Sequence, residues 1–175
     1  MNNSINQLKK SIRDVPDFPK KGIVFKDITT LLKENNNLKL AADILTEMYS
    51  DKGITKVVGI ESRGFILGSI VAYNLNAGFV LLRKPGKLPA DCYSVSYDLE
   101  YGSDTLEIHK DAIDNDDIIL LHDDLLATGG SAMAALKLVE NFKPEKIFIN
   151  FLIELQFLTG RKKLNGAVVN SLLKY

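Results

Sequence analysis

The sequence lacks the features that mark several common protein classes. Its 175 residues include a single cysteine, Cys92, which can form neither an intrachain disulfide nor a cysteine-rich zinc site. No apolar run approaches the ~20 residues that a membrane-spanning helix requires. The first ten residues contain no apolar segment of the kind found in secretory signal peptides. We therefore expect a cytoplasmic protein with no membrane partner.

The chain also lacks net charge, because 22 basic residues are balanced by 22 acidic residues. That balance argues against a partner such as nucleic acid, which binds broadly basic surfaces. Hydrophobic residues make up 46% of the chain, which argues against disorder and predicts one globular domain with a sizeable core. A net charge of zero does not show how the charged residues are distributed along the chain.

Short apolar runs alternate with helical patterns, without an internal repeat or a linker. Runs that are apolar almost throughout predict a parallel sheet covered by helices on both faces. The predicted strands lie at 56–60, 78–82, 118–121, 147–153 and 167–169, with helices at 65–75 and 131–142. A helix containing Ala41 and Met48 is expected to begin after an N-cap at Asn37.

The carboxyl ends of such strands lie along one edge of the sheet, where open α/β sheets bind ligands. We therefore expect the functional site directly after the strands. Two stretches, 15–30 and 84–102, do not fit the alternation. They are expected to form arms or loops over that site.

The most informative segment is IILLHDDLLATGGSA, residues 118–132. After the strand come two acids and a Gly-Gly turn that opens a helix, whose free amides form a cradle for a phosphate monoester together with the hydroxyls of Thr128 and Ser131. Asp123 and Asp124 would repel a phosphate, so we expect them to accept hydrogen bonds from ribose hydroxyls. The lysine of a Walker A loop is missing. The alternative interpretation is a capped turn with solvated acids.

This segment resembles the phosphoribosyl-diphosphate signature of the type I phosphoribosyltransferases. Four further segments resemble the adenine-specific members of that family: DFPKKGIVFKDITTLLK, VVGIESRGFILG, LLRKPGKLPA and DLEYGSDTLEIHKDAI. The resemblance extends from about residue 12 to residue 175. It implies an α/β fold in which helices flank a central parallel sheet, with a small hood and a flexible flap loop. A single domain would span 1–175, with the hood at about 1–35 plus the C-terminal part and the flap at about 91–108.

The resemblance implies three segments that bind phosphoribosyl diphosphate. The first segment holds the diphosphate, for which a guanidinium is a planar, always-charged partner, and its residues are Glu61, Ser62, Arg63 and Gly64. The second segment supplies counter-charge and consists of Arg83, Lys84 and Lys87. The third segment binds ribose and the 5′-phosphate, and its residues are Asp123, Asp124, Ala127, Thr128, Gly129, Gly130 and Ser131.

The resemblance also implies a base site and a catalytic residue. Adenine would be bound by Val24, Phe25 and Lys26, with Leu158 on the other face of the ring. Glu100 matches the family's catalytic glutamate, which exchanges a proton with the purine N7. From the residues alone, Val24 and Phe25 would be ordinary core packing and Glu100 an ordinary surface residue.

Two residues depart from the family pattern. Lys26 stands where arginine is common, which matters little if the main chain contacts the base. His122 stands where an apolar residue is usual, and we expect its side chain to be a satisfied histidine in the packing between sheet and helices.

The implied reaction transfers the 5-phosphoribosyl group from 5-phospho-α-D-ribose 1-diphosphate to adenine, giving AMP and diphosphate. Mg²⁺ is the implied cofactor, bound mainly through substrate oxygens, so no residue is predicted as a metal ligand. The implied partners are these small molecules and a second copy of the chain in a homodimer. Two alternatives stay open: a phosphoribosyltransferase for a 6-oxopurine, and a non-catalytic domain that senses phosphoribosyl diphosphate.

Overall fold

The computed structural model describes residues 2–18, 20–98, 103–164 and 166–175. Its helices are α1 (Asn2–Ser11), α2 (Thr29–Leu32), α3 (Asn35–Glu47), α4 (Gly64–Asn74) and α5 (Gly130–Glu140). Its strands are β1 (Arg13–Pro16), β2 (Val24–Asp27), β3 (Lys56–Ile60), β4 (Gly78–Leu82), β5 (Cys92–Asp98), β6 (Ser103–His109), β7 (Ile118–Leu126), β8 (Lys146–Glu154) and β9 (Val168–Lys174). Two short 3₁₀ helices, Gln156–Leu158 and Gly160–Leu164, lie between β8 and β9.

Five of these strands form a parallel sheet in the order β4-β3-β7-β8-β9. Side chains alternate along each strand, so neighbouring residues enter different hydrophobic clusters. Leu120 packs with Leu45 and Leu67 on the face covered by α3 and α4, whereas Leu121 packs with Ala135 on the face covered by α5. The predicted α/β class with a central parallel sheet flanked by helices is confirmed.

Some predicted boundaries are wrong. Strand β7 continues to Leu126 because β8 continues beside it, with Leu125 paired to Ile153. Both acids of the DD pair are therefore strand residues. Helix α3 begins at Asn35 after Glu34, so Asn37 is not the N-cap. The side-chain oxygen of Asn35 accepts a hydrogen bond from the next amide at 2.7 Å, which places the polar side chain inside the first turn.

Each of the two stretches outside the strand–helix alternation contributes a strand, β2 or β5, to an antiparallel pair. Strand β1 pairs with β2 in the expected hood, and β5 pairs with β6 in the expected flap. The flap hairpin is anchored in the second cluster, because Leu106 and Ile108 are fully buried there and the Tyr93 and Phe142 rings lie 5.4 Å apart. Residues 99–102, including the predicted catalytic Glu100, lie outside the described residues.

Within the described ranges, no helix is long and apolar enough to cross a bilayer.

Candidate active site

Three segments implied by the sequence meet at the carboxyl edge of the sheet. Residues 61–63 connect β3 to α4, residues 83–87 follow β4, and residues 127–129 connect β7 to α5. Strand β3 lies between β4 and β7. The predicted diphosphate turn therefore lies between the basic segment and the predicted phosphate turn.

The phosphate turn, residues 127–131, has the backbone conformation that its glycines predict. Gly129 has a φ of +79° and precedes the first residue of α5, Gly130. A side chain with a Cβ rarely adopts that φ. No described side chain bonds to the amides at the start of α5, so these donors and the helix dipole are available to an anion. Thr128 and Ser131 are partly buried beside them.

The two acids of β7, Asp123 and Asp124, form a pair of adjacent carboxyl groups. The Asp124 Oδ2 lies 2.9 Å from the Arg63 Nε, and Asp123 accepts a hydrogen bond from the Asp124 amide at 2.8 Å. Burial, followed by the neighbouring negative charge of Asp124, raises the pKa of Asp123. Burial also raises the pKa of Asp124, although the Arg63 guanidinium opposes that shift. Buried carboxylates whose pKa values are raised in this way are typical of functional sites.

Arg63 connects these acids to the predicted base site. Its guanidinium carbon lies 5.0 Å from the centroid of the Phe25 ring, while its Nε faces Asp124. In this structure the guanidinium therefore pairs with Asp124, which is predicted to bind ribose, and stacks against Phe25, which is predicted to bind the base. Its contact with a diphosphate stays a prediction.

Glu61 gathers the basic residues of the second segment. It accepts hydrogen bonds from the Lys87 ammonium at 2.6 Å, the Lys84 amide at 2.8 Å and the Arg83 Nε at 3.3 Å. Burial alone would raise the pKa of Glu61, but these hydrogen bonds outweigh burial and lower it to about 2. The carboxylate stays ionised and pairs with the Arg83 and Lys87 side chains, whereas Lys84 contacts it through the backbone amide. Lys84 also forms an ion pair with Asp104 of β6.

A cleft of about 930 Å³ opens beside the phosphate turn. It is lined by Val24, Phe25, Lys26 and Leu158, together with Ala127 and Thr128. The structure thus brings the residues predicted for adenine next to two of those predicted for the 5′-phosphate. The size and the apolar walls suit a purine ring.

Sequence reasoning did not single out six further residues of the cleft: Lys20, Gly22, Ile23, Leu125, Leu155 and Phe157. The first four lie within the quoted segments 17–33 and 118–132, whereas Leu155 and Phe157 lie in no motif. The side chain of Lys26 points elsewhere. Its ammonium lies 2.6 Å from the Asp14 carboxylate and 4.1 Å from the centroid of the Tyr175 ring. The side chain of Lys26 is therefore engaged by Asp14 and Tyr175, and a contact of its main chain with a base stays a prediction.

His122 lies in the packing between sheet and helices, as predicted. Its Nδ1 is 3.1 Å from the Asn150 side-chain oxygen, and the Asn150 amide donates to the Tyr49 hydroxyl at 3.2 Å. Its Nε2 has no hydrogen-bond partner among the described residues, so only one of the two nitrogens is satisfied. Burial lowers the pKa of His122 to about 4.

The described residues contain no group of three or more His, Cys, Asp or Glu side chains that could hold a metal ion. The carboxylates expected beside the ribose are those of Asp123 and Asp124, and the Oδ2 of Asp124, although 2.9 Å from the Arg63 Nε, accepts no hydrogen bond of suitable geometry from the described residues. This donor set fits a Mg²⁺ ion that takes most of its oxygens from substrate and water.

Comparison with known proteins identifies the class. Residues 27–164, more than half of the chain, match the phosphoribosyl transferase domain family. The chain therefore belongs to the phosphoribosyltransferases, and its relatives narrow this to the adenine phosphoribosyltransferases.

An adenine phosphoribosyltransferase of Bacteroides thetaiotaomicron is 61% identical over 154 residues, which cover 88% of each chain. The crystal structure of adenine phosphoribosyltransferase from Rhodothermus marinus is 50% identical, with a TM-score of 0.94 over 100% of both chains. The Saccharomyces cerevisiae enzyme, complexed with D-2,5-dideoxy-2,5-imino-altritol 1,6-bisphosphate and adenine, is 41% identical, with a TM-score of 0.93 over 99% of this chain and 100% of that one.

Proposed function

We propose that this chain transfers the 5-phosphoribosyl group from 5-phospho-α-D-ribose 1-diphosphate to adenine, giving AMP and diphosphate. The observation that carries the proposal is the shared cleft, in which Val24, Phe25 and Leu158 lie beside Ala127 and Thr128 of the phosphate turn. A base and a 5′-phosphate can therefore occupy the two ends of one nucleotide site. The named relatives support the same activity.

In this reaction the bond from the anomeric carbon to N9 forms as the bond to the diphosphate breaks. Positive charge develops on the ribose ring, where the carboxylates of Asp123 and Asp124 hold the hydroxyls and stabilise that charge. Negative charge develops on the leaving diphosphate, where Arg83, Lys84 and Lys87 supply counter-charge. Glu61 acts through these cations, since its carboxylate holds them.

The base needs a proton exchange at N7 as N9 attacks, and Glu100 is the proposed group. General acid–base catalysis of this kind contributes about 10²–10⁴-fold. The assignment rests on the DLEYG motif, since Glu100 lies outside the described residues. The main chain of residues 24–26 is proposed to recognise the edge of the base that carries the 6-amino group.

We further propose that Mg²⁺ accompanies the diphosphate, with Asp123 and Asp124 supporting ribose and ion from the protein side. Its chemistry when bound is to neutralise charge on the leaving group. Removal of free Mg²⁺ by a chelator is expected to abolish turnover and leave AMP binding intact.

A homodimer in the cytoplasm is also proposed. The outer surface of α4 and β4 supports the dimer, because Ile66 and Tyr73 are 41% and 86% exposed seven residues apart on one helix face, beside Leu81 at 38%. Exposed apolar patches of this kind are typical of interfaces. Sedimentation of Tyr73→Glu against the unchanged chain tests it, since the substitution should shift the chain towards monomer.

The test of function is an assay with phosphoribosyl diphosphate, Mg²⁺ and each of adenine, hypoxanthine, guanine and xanthine. We expect AMP formation, with 6-oxopurines disfavoured by up to about 10⁴-fold, because the wrong base leaves buried polar groups unpaired. A preference for a 6-oxopurine would contradict the adenine assignment. Ligand binding without turnover on any base would support the sensing domain instead.

A further inference from the structure

The segment between β8 and β9 contacts both halves of the proposed nucleotide site. Leu155, Phe157 and Leu158 line the base end of the cleft. Two residues after Leu158, the backbone of Gly160 packs directly against the phosphate turn. A methyl group on Gly129 would lie 2.5 Å from the Gly160 carbonyl oxygen, and one on Gly160 would collide with the Ala127 carbonyl oxygen. The position of this segment therefore sets the distance between base face and phosphate turn.

Arg161 holds the segment in place. Its Nε donates to the Glu154 Oε1 at 2.9 Å and its Nη2 to the Glu154 Oε2 at 2.5 Å. Its Nη1 donates to the Val169 carbonyl at 2.7 Å and its Nη2 also to the Ser171 hydroxyl at 3.2 Å. The guanidinium thus joins the short helix Gly160–Leu164 to the last residue of β8 and to two residues of the neighbouring strand β9. The planar fork of arginine suits this geometry, and an ammonium could not reproduce it.

The placement of this ion pair favours positioning over stability as its role. Glu154 is 5% exposed, and a buried ion pair as a whole contributes little net stability compared with well-packed apolar side chains, although removal of one partner alone is destabilising. Arg161 is one residue from Gly160 and three residues from Leu158 along the chain. A shift of the segment would therefore move the base face at Leu158 relative to the phosphate turn.

We propose that Arg161, through Glu154, is a positioning residue that sets the spacing between the base face at Leu158 and the phosphate turn at Thr128–Gly129. The inference rests on the proposed function, since it assigns the two ends of the cleft to the base and the phosphate of one nucleotide. Arg161 itself is proposed to contact neither the base nor the phosphate.

The test compares two ligands by calorimetry on the full chain. AMP spans both ends of the site, whereas ribose 5-phosphate occupies the phosphate end alone. In Arg161→Met we expect the Kd of AMP to rise about tenfold or more, because small misplacements of binding groups are costly. The Kd of ribose 5-phosphate should change by less than about threefold, since the phosphate turn keeps its own backbone conformation.

The matched control is Lys56→Met, which breaks an ion pair with the buried Asp117 at the opposite edge of the sheet. It should lower the Tm and leave both Kd values unchanged. Arg161→Lys, which keeps the charge and the fold, should give an intermediate loss of AMP affinity and decides the question if Arg161→Met does not fold.

Unchanged AMP binding in the Arg161 variants would overturn the inference, as would equal losses for both ligands or the same pattern in Lys56→Met. Turnover of the unchanged chain is measured separately. If the unchanged chain shows no turnover but its AMP affinity depends on Arg161, the proposed activity is wrong and this inference holds.

Discussion

The two edges of the central sheet hold the same kind of charged groups in different arrangements. At the amino edge, Asp117 is buried, and its carboxylate accepts hydrogen bonds from the Thr55 hydroxyl at 2.7 Å and the Asp114 amide at 2.7 Å. The Lys56 ammonium lies 2.6 Å from it. At the carboxyl edge, Asp123 and Asp124 are adjacent, and Arg63 forms an ion pair with Asp124.

The pKa shifts of Asp117 and of the Asp123–Asp124 pair have opposite signs. Burial raises the pKa of Asp117, but the hydrogen bonds from Lys56, the Asp114 amide and Thr55 outweigh burial and lower it. For Asp123 and Asp124 burial dominates, and their pKa values are raised. A closed hydrogen-bond network stabilises the fold, whereas buried carboxylates with raised pKa values are typical of ligand sites. We therefore expect a structural role for Asp117 and a functional role for the Asp123–Asp124 pair.

The largest effect is expected from Glu100→Gln, which extends the comparison to the chemistry of the carboxyl edge. Removing a general acid–base group should lower kcat by about 10²–10⁴-fold. The amide is close in shape to the carboxylate, so the Kd of phosphoribosyl diphosphate should stay within about threefold. Steady-state kinetics and calorimetry give the two numbers, and unchanged turnover would end the assignment of Glu100.

At the amino edge, Asp117→Asn should lower the free energy of unfolding by about 2–4 kcal/mol, because Lys56 loses a buried charged partner. The value of kcat/KM should not change at a temperature where the variant is folded. Urea denaturation and initial rates measure these effects. A loss of activity in the folded variant would break the distinction between the edges.

The matched change at the carboxyl edge is Asp123→Asn. A hydrogen bond to a charged group contributes about 1.5–3 kcal/mol, so kcat/KM should fall by about 10- to 100-fold. The free energy of unfolding should not fall, because the substitution removes repulsion between adjacent carboxylates. The same two measurements apply, and a destabilised variant with normal kcat/KM would reverse the interpretation of this edge.

The smallest effect is expected at His122, one residue before the acids but inside the core. Its pKa in the folded state is about 4, below the ordinary 6.5. The unfolded chain therefore binds more protons between these values, and stability falls as the pH drops from 6.5 towards 4. Between pH 7.5 and 5.5 the contribution of His122 is a loss of about 1 kcal/mol.

His122→Leu should remove that part of the pH dependence, which urea titrations at the two pH values measure. Glu61→Gln is the control, because the pKa of Glu61 is lowered to about 2 and its contribution changes only below about pH 4.5. An identical loss in His122→Leu and the unchanged chain would show that His122 does not titrate in this range.

The predictable part of the fold is the part that local chemistry controls. The centres of the sheet strands follow from apolar runs such as Val57–Val58 and Leu120–Leu121, because a strand buried on both faces has no polar positions. The end of β7 could not be predicted this way. Asp123 and Asp124 are polar, yet they remain in the strand because β8 offers backbone partners as far as Glu154.

The candidate site divides in the same way. The Gly-Gly turn predicts an anion cradle, since a positive φ and free amides are properties of the segment itself. The base residues Val24 and Phe25 follow only from family resemblance, because two apolar residues carry no chemical signal. The contact of Arg63 with both Asp124 and Phe25 joins segments far apart in sequence. The Glu154–Arg161 pair joins the last residue of β8 to the short helix Gly160–Leu164, and it matches no motif.

The sequence by itself determined the α/β class, the order of the strands along the chain and the phosphate turn, because each depends on residues that are close in the chain. Only the tertiary structure decided which charges meet. It closed the network around Asp117 and paired the Arg83 and Lys87 side chains with Glu61. It also placed the Arg63 guanidinium against Asp124 beside the adjacent Asp123. Electrostatic energy depends on distance and burial, and both are set by packing rather than by spacing along the chain.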